Sequence, residues 1–364
     1  MKLALKELVY NKKKYILIEL IITLLVFMVL FLTGLVEGLG RSVISGIDNM
    51  DADYFLLSDS AEKLITVSDL NPEKYEELRS QTDAEIAVLG IQRMYLSKKD
   101  SQEKLNITYY VIEPGSFLEP EVVDGVGLSD SDASNPIVLD ESFLHEGIAV
   151  GDVVFDSSSE HEYTVAGFVS DSMYGHTSVG YISVDSYTSM RTALNPMYQK
   201  MYHAIVIRGK DIDGINIDGT ELVSKSEIIE NIPSYKAEHT TITMIIWVLV
   251  VVSAAIIGVV YYILTIQKYR QFGVMKALGM SMKQLAAMVT SQICVIAVFG
   301  AAVATLLTYL MSMAIPSTMP FYLKNGNVIL VIAAFILISV AGGLISVLSI
   351  SHVDPMKVIG GSGE

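Results

Sequence analysis

The sequence predicts a helical membrane protein: four transmembrane helices, with a large extracellular α+β domain inserted between the first and the second. Three observations carry this. Apolar residues make up 51% of the 364-residue chain and charged ones 18%, with a mean hydropathy of +0.47. The formal net charge is nevertheless −15, from 40 Asp and Glu against 25 Lys and Arg. Position reconciles the two. Residues 37–240 hold 36 acids and 14 bases, a net of −22, whereas the other 160 residues hold 4 acids and 11 bases, a net of +7. An acidic soluble domain is therefore joined to nearly uncharged apolar segments. Such an acidic surface excludes nucleic acid as a partner, because phosphate contacts need basic patches.

Residues 1–14 form a basic N-terminal segment that carries Lys2, Lys6, Lys12, Lys13 and Lys14. A bilayer core takes ~20 apolar residues per helix, and the first such run is 15–36. It is too long for the h-region of a signal peptide and no small-residue cleavage site precedes Glu37, so it reads as a retained span. Its one charge, Glu19, reads as an interfacial group beside Lys14. The extracellular domain occupies 37–240. Strand-like runs there are 53–57, 107–112, 136–139 and 203–208. The β-branched runs 151–155 and 163–169, with a polar turn at 157–160, predict a hairpin. Asn71 predicts an N-cap for a short helix over 72–81, and 129–134 reads as a polar loop.

The second span is 241–266 and the third 284–314, ended by Pro316 and Pro320. Residues 315–326 form a short extracellular loop, 327–350 the fourth span and 351–364 a tail. The Lys and Arg of the short flanks orient the chain. Both termini and the connector 267–283, with Lys268, Arg270, Lys276 and Lys283, fall on the cytoplasmic side. The lone cysteine, Cys294, lies in an apolar run and reads as a small packing residue. Gly34 and Gly38, spaced as Gly-x-x-x-Gly, permit close helix approach and are expected at a dimer seam.

The chemistry absent from the chain is also informative. There is no P-loop lysine motif, no His-Glu-x-x-His, no Cys-x-x-Cys and no Gly-x-Ser-x-Gly. The spans lack the mid-membrane acids and arginines of proton-coupled transporters. A machine that moves something without them takes its energy from elsewhere. In the connector, Gly279 ends one helix and Ser281 with Gln284 predicts a capping box that starts the next. Phe272 and Met275 share a face at helical spacing beside Lys268, Arg270 and Lys276. That face suits either the lipid headgroups or a cytoplasmic partner.

The pattern Thr265-Ile-Gln-Lys268 followed by Gly273-Val-Met-Lys-Ala-Leu-Gly279 resembles the connector of MacB/FtsX-type ABC permeases. So do the layout and the tail His352-Val-Asp-Pro355. Narrower pieces are similar to the HrtB-like heme-efflux group of that family: Met1-Lys-Leu-Ala-Leu-Lys-Glu7, Gly38-Leu-Gly40, Asp171-Ser-Met-Tyr-Gly-His176, Ser234-Tyr-Lys-Ala-Glu238 and Met319-Pro-Phe-Tyr-Leu323. The resemblance spans essentially the whole chain, with residues 50–140 contributing least. It implies a non-catalytic, FtsX-like and MacB-like permease of a bacterial cell membrane, working as a homodimer with two copies of a separate ATPase. Heme, the implied cargo, is taken sideways from membrane lipid and squeezed outward by mechanotransmission; no intrinsic cofactor is implied. The connector residues Lys268, Arg270, Phe272, Met275 and Lys276 are then expected to couple to the ATPase.

Ferric heme iron accepts carboxylate, phenolate or imidazole. Tyr235, Glu238 and His239 fall on one side of a helix at i, i+3 and i+4. With Lys236 or Arg41 for a propionate, and with Met173, Tyr174 and His176 from the second motif, they are the expected heme-binding residues. Glu238 or Tyr235 is the expected iron ligand. Each has a plainer reading: Tyr235 as an interfacial belt residue, Glu238 as a favourable charge at a helix N-terminus, Tyr174 as a packed turn residue. Two other functions fit the same layout. One is an FtsX-like signal transmitter that controls an extracellular cell-wall hydrolase; the other exports a peptide or lipid-linked substrate.

Overall fold

The computed structural model describes residues 10, 12–98, 103–209, 212, 214–316 and 319–349. The N-terminal motif and the Asp-Pro tail lie outside them. Among the described residues, four helices are long and apolar enough to cross a membrane: α1 (Lys12–Asp48), α6 (Tyr235–Gln267), α8 (Met282–Ala314) and α9 (Asn325–Ser349). The chain divides into two compact units, 1–39 with 240–364, and 40–239.

Periodicity explains the core of the membrane unit. Tyr15, Ile18, Ile22, Val26 and Val29 recur every three or four residues along α1, as do Leu285, Val289, Ile293 and Ile296 along α8, and all are buried in one cluster. In α6 the buried residues Ser253, Ile257, Tyr261 and Thr265 form a single i+4 row, while Trp247, Val248 and Val251 stay exposed. That row is the packed face and the rest suits lipid.

Two expectations for this unit are corrected. Glu19 does not sit beside Lys14, whose ammonium reaches Gln267 instead. It turns into the bundle: a Cβ on Gly300 would stand 2.9 Å from its Oε1, and that oxygen is buried without a hydrogen-bond partner among the described residues. Gly34 and Gly38 do serve close approach, but to their own chain. A Cβ on Gly38 would lie 2.4 Å from the backbone of Pro320, and one on Gly34 would lie 2.5 Å from the Phe321 ring. Phe31 and Phe321 face each other at 5.4 Å, and the Tyr322 amide donates to the Gly34 carbonyl. Residues of the 319–323 segment thus occupy the close approach that the two glycines open.

The inserted unit is built on one mixed sheet. Its strands are β1 (Tyr54–Ser58), β2 (Glu85–Lys98), β3 (Leu105–Ile112), β4 (Asp124–Gly125), β5 (Pro136–Asp140), β6 (Val153–Asp156), β7 (Glu162–Val169), β8 (Met173–Tyr174), β9 (Thr177–Ser183), β10 (Ala204–Arg208) and β11 (Thr220–Ser224). They run in the order β11-β1-β10-β2-β3-β9-β5-β7-β4, with β6 bridging β2 and β7, and β8 paired to β9. Successive side chains point to opposite faces, and both faces are covered. Ala87, Leu89, Ile91, Tyr110, Ala204 and Val206 enter one core, together with Val43, Ile47 and Met50 from the end of α1. Val88, Leu96, Tyr109, Val111, Ile205 and Ile207 enter the other, under α4 (Val184–Leu194).

Local signals act as expected. Asn71 accepts the Lys74 amide at 3.2 Å to start α2 (Pro72–Gln81). The hairpin β6–β7 pairs Val154 with Tyr163, and Asp156 accepts the amides of Ser158 and Ser159 to close its turn. The remaining helices are the single-turn α3 (Ser142–His145), α5 (Lys225–Asn231) and α7 (Tyr269–Ala277). Lys225 donates to the carbonyl of Asp48, which the end of α1 leaves open, and to that of Met50 just beyond it.

Replacing glycine inside a helix ordinarily helps by up to ~1 kcal/mol. At Gly38 the sign is expected to invert, because the new methyl meets backbone. Gly38→Ala should lower thermal stability in detergent by about 1–3 kcal/mol. Gly326→Ala, where the added carbon meets open space, should leave it unchanged or slightly raised. Gel filtration after graded heating reads both.

Candidate functional site

Helix α6 begins directly after Ser234, whose φ of +73° turns the chain out of α5. The Glu238 amide closes the first helical turn onto the Ser234 carbonyl at 2.9 Å. The helical spacing places Tyr235 and His239 on one face, their rings 5.6 Å apart and tilted by 30°. Glu238 projects beside them and meets a residue 62 positions away: its two oxygens lie 3.3 and 3.2 Å from Nε2 of His176.

His176 arrives on the tip of the β8–β9 hairpin. Tyr174 pairs with Thr177, which leaves Gly175 and His176 as a two-residue loop, with φ of +56° and +63°. Positive φ at both positions defines the type I′ turn that matches strand twist. The tip is fastened three ways. The Gly175 amide donates to the Val43 carbonyl, the His176 amide donates to the Ser42 carbonyl, and the Arg93 guanidinium donates to the Gly175 carbonyl at 2.7 Å and to Thr177 Oγ1 at 2.5 Å. Below it, the Met173 amide donates to Ser45 Oγ.

The imidazole is engaged at both nitrogens. Nε2 faces a carboxylate, which only accepts, so Nε2 carries a proton. Nδ1 lies 3.0 Å from Ser42 Oγ and, in the neutral ring, accepts from it. Glu238 and His176 are each about two-fifths exposed, where an ion pair contributes ~0–1 kcal/mol. The pair is too weak to account for the fold. Nearby, Arg41 is ion-paired to Asp171, whose carbonyl accepts from Asn49 at 2.7 Å.

The expected heme-binding residues thus divide. Tyr235, Glu238, His239 and His176 come together, with Lys236 exposed beside them. Arg41 is committed to Asp171. Tyr174 does not face the cluster; it is buried and packs edge-on against Tyr110 at 6.0 Å. Burial pushes its hydroxyl up to about 12, so it stays a neutral phenol and is corrected to a hairpin anchor. Met173 is half-buried, with its sulfur accepting from Ser178. Arg93 and Ser42, which position the tip, carry no local motif in the sequence; only the packing of the hairpin against distant β2 and the end of α1 reveals them. Among the described residues no group of three His, Cys, Asp or Glu converges as a metal centre.

The connector also differs from its expected form. The helix breaks at Lys268 and resumes as α7; Gly279 takes φ +93°, and the Ser281–Gln284 capping box opens α8. Lys268 is buried, its ammonium 2.7 Å from Gln292 Oε1 and 5.5 Å from the centre of the Tyr15 ring. Phe272 is buried in the membrane core, and Met275 packs against it. The exposed large hydrophobic residues of the connector are Tyr269, Val274 and Leu278, with Arg270 exposed alongside. Of the expected coupling residues, Lys268 and Phe272 are thus buried, Met275 and Lys276 part-buried and Arg270 exposed, so the face left open to a partner is that of Arg270, Val274 and Leu278.

Comparison with known proteins follows this division. Residues 16–218 match the MacB-like periplasmic core domain, and residues 243–355 match the FtsX-like permease C-terminal domain. The chain is 30% identical over 362 residues, 99% of both chains, to HrtB of Staphylococcus haemolyticus, a permease protein named for hemin transport. It is 28% identical, over the same shares, to HrtB of Staphylococcus epidermidis. The periplasmic region of MacB from Actinobacillus actinomycetemcomitans overlays 52% of this chain and 97% of its own, with a TM-score of 0.35 at 14% identity.

The turn yields a stability prediction with a sign. A β-branched residue at φ +63° is strained by ~1–2 kcal/mol, so His176→Val should lower the thermal midpoint. His176→Asn, which tolerates that φ, should hold it near the parent. Both lose the Glu238 contact, so equal midpoints for the two would remove the turn argument.

Proposed function

From the premise that the chain belongs to the MacB/FtsX-like family of ABC transporter permeases, we propose that it expels heme, or a similar flat amphiphile, taken laterally from the membrane. The energy comes from a separate cytoplasmic ATPase, and the working unit is two copies of each chain. The observation that carries this reading is the cluster of Tyr235, Glu238 and His239 in the first turn of α6 with His176 from the β8–β9 hairpin. It unites the two narrow motifs on one geometry, in a chain aligned end to end with permeases named for hemin transport.

The chemistry follows from what each group can offer. A carboxylate is a hard donor suited to ferric iron and binds it less tightly than a pair of imidazoles. A loose ligand serves an exporter, which must release what it binds. In the described arrangement Glu238 is occupied by His176, so a ferric cargo takes the carboxylate by displacing the imidazole. Tyr235 and His239 offer ring faces to a planar ligand. Both termini lie in the cytoplasm, as the flanking lysines require, and the acidic domain lies outside. An almost wholly apolar groove of about 530 Å³, lined by Ala254, Gly258, Ala341 and Gly342 among others, supports an apolar occupant at the membrane faces of α6 and α9. Small residues there suit a second copy better than the filled Gly34–Gly38 groove does.

Titrating hemin into the purified protein should give a saturable Soret shift. Glu238→Ala and Glu238→Gln should weaken it at least tenfold, ~1.4 kcal/mol, and Tyr235→Ala several-fold. His176→Asn should tighten binding, because it removes the competitor. Parent-like binding by both Glu238 variants overturns the assignment of the site.

The ATPase contact is tested separately by co-purification. Val274→Asp with Leu278→Asp should release the ATPase and leave the permease folded. Phe272→Asp should instead lower the amount of folded protein, because it places a charge in the membrane core. Retention of the ATPase by the Val274/Leu278 variant overturns the docking face.

A further inference from the structure

The inserted unit holds a second cavity that the heme reading does not use. It has a volume of about 270 Å³ and lies between the loop after α4, the middle of β2 and the start of β10. This is near the lower end of the ~300–1,000 Å³ of small-molecule pockets. It suits a molecule of one ring.

Charge selects the kind of ring. The domain from 37 to 240 carries a net −22, yet this cavity is lined by Arg191 and Lys200 with a single carboxylate, Asp69. Among the described residues neither cation has a carboxylate within 4 Å. Instead each rests on a tyrosine. The Arg191 guanidinium lies 5.4 Å from the centre of the Tyr198 ring, and the Lys200 ammonium lies 5.6 Å from that of Tyr202. Cation–π contacts of this kind contribute ~0.5–1 kcal/mol at exposed sites. They hold the cations in place without neutralising them. In so acidic a domain, a lining with two cations to one carboxylate is locally positive and favours an anion.

The walls add donors and flat surfaces. Tyr187 meets Tyr198 edge-on at 6.5 Å. His203, also in the lining, accepts the Ile91 amide at Nδ1 over 2.7 Å. Its remaining nitrogen, Nε2, therefore bears the proton and is a donor. Burial holds this imidazole below its ordinary range, so the ring remains neutral. Gly90 brings the β2 backbone to the cavity, where a Cβ would press to 3.0 Å against Val111.

The geometry points to a binding site for a small anionic ring compound: a carboxylate that lies between Arg191 and Lys200, on a single ring held against Tyr187, Tyr198 and Tyr202. The carboxylate ring could be aromatic or a sugar acid, and the two sources share the same recognition chemistry.

Ligand-observed saturation-transfer NMR on the full chain in nanodiscs tests this with two matched pairs, benzoate with benzyl alcohol and glucuronate with glucose. Saturable binding of at least one acid at about 1 mM, without binding of its neutral partner, is the expected result. Benzoate alone assigns an aromatic acid, glucuronate alone a sugar acid. Arg191→Gln and Lys200→Gln should each weaken that binding at least fivefold, and Tyr198→Leu should weaken it as well. Thermal unfolding checks that each variant is folded, and the loop variant Lys200→Gln stands as the test should Arg191→Gln disturb α4. Hemin binding at Glu238 should be unchanged in all three, which separates this site from the other. Absence of saturation by either acid, equal binding of acid and neutral partner, or parent-like binding by folded Lys200→Gln overturns the proposal.

Discussion

The inserted domain depends on one long strand. β2 runs 14 residues and pairs with β10 over its first part, then with β3 and β6. Its alternate side chains supply both cores, Ala87, Leu89 and Ile91 to one and Val88 and Leu96 to the other. A strand buried on both faces cannot slip by one residue without exchanging its side chains between two differently shaped cores. Both sites hang from it. Arg93 reaches from β2 to hold the hairpin tip that presents His176, and Gly90, Ile91 and Gln92 form a wall of the anion cavity.

β2 is also where reading the sequence was least effective. Its residues, Glu-Ile-Ala-Val-Leu-Gly-Ile-Gln-Arg-Met-Tyr-Leu-Ser-Lys, pass from an apolar run into an alternating one, and neither period holds for the whole length. Its identity comes from three partner strands, one of which, β10, lies more than 100 residues away. Signals that close within a few residues were legible: the Asn71 cap, the β6–β7 hairpin, the Ser281–Gln284 capping box and the shared face of Tyr235 and His239. The spans were legible because apolar length is itself the physical requirement.

What local pattern could not supply was the partner of each marked face. Gly34 and Gly38 mark a close approach, and the neighbour is the chain's own Pro320 and Phe321. Phe272 marks an apolar face, and that face is used inside the membrane core. Glu19 and Lys268 looked like headgroup-level charges, yet the bundle admits both. The coarse function, an ABC permease, rests on end-to-end similarity to known permeases and on domain matches to both halves of the chain. The cargo rests on a few side chains, one of them brought from 62 residues away.

The doubly engaged imidazole of His176 has a kinetic consequence. Both of its nitrogens are occupied, one by Ser42 and one by Glu238, and its backbone is held by the turn. The ring cannot travel far when an occupant takes the Glu238 carboxylate, so it stays within reach as a standing competitor. Every momentary loosening of the occupant can be answered at once by the intramolecular rival, whose effective concentration does not fall with dilution. Such an arrangement shortens residence time more than it slows arrival. On the proposed reading the site is thereby visited and vacated, with the rate of departure set inside the protein.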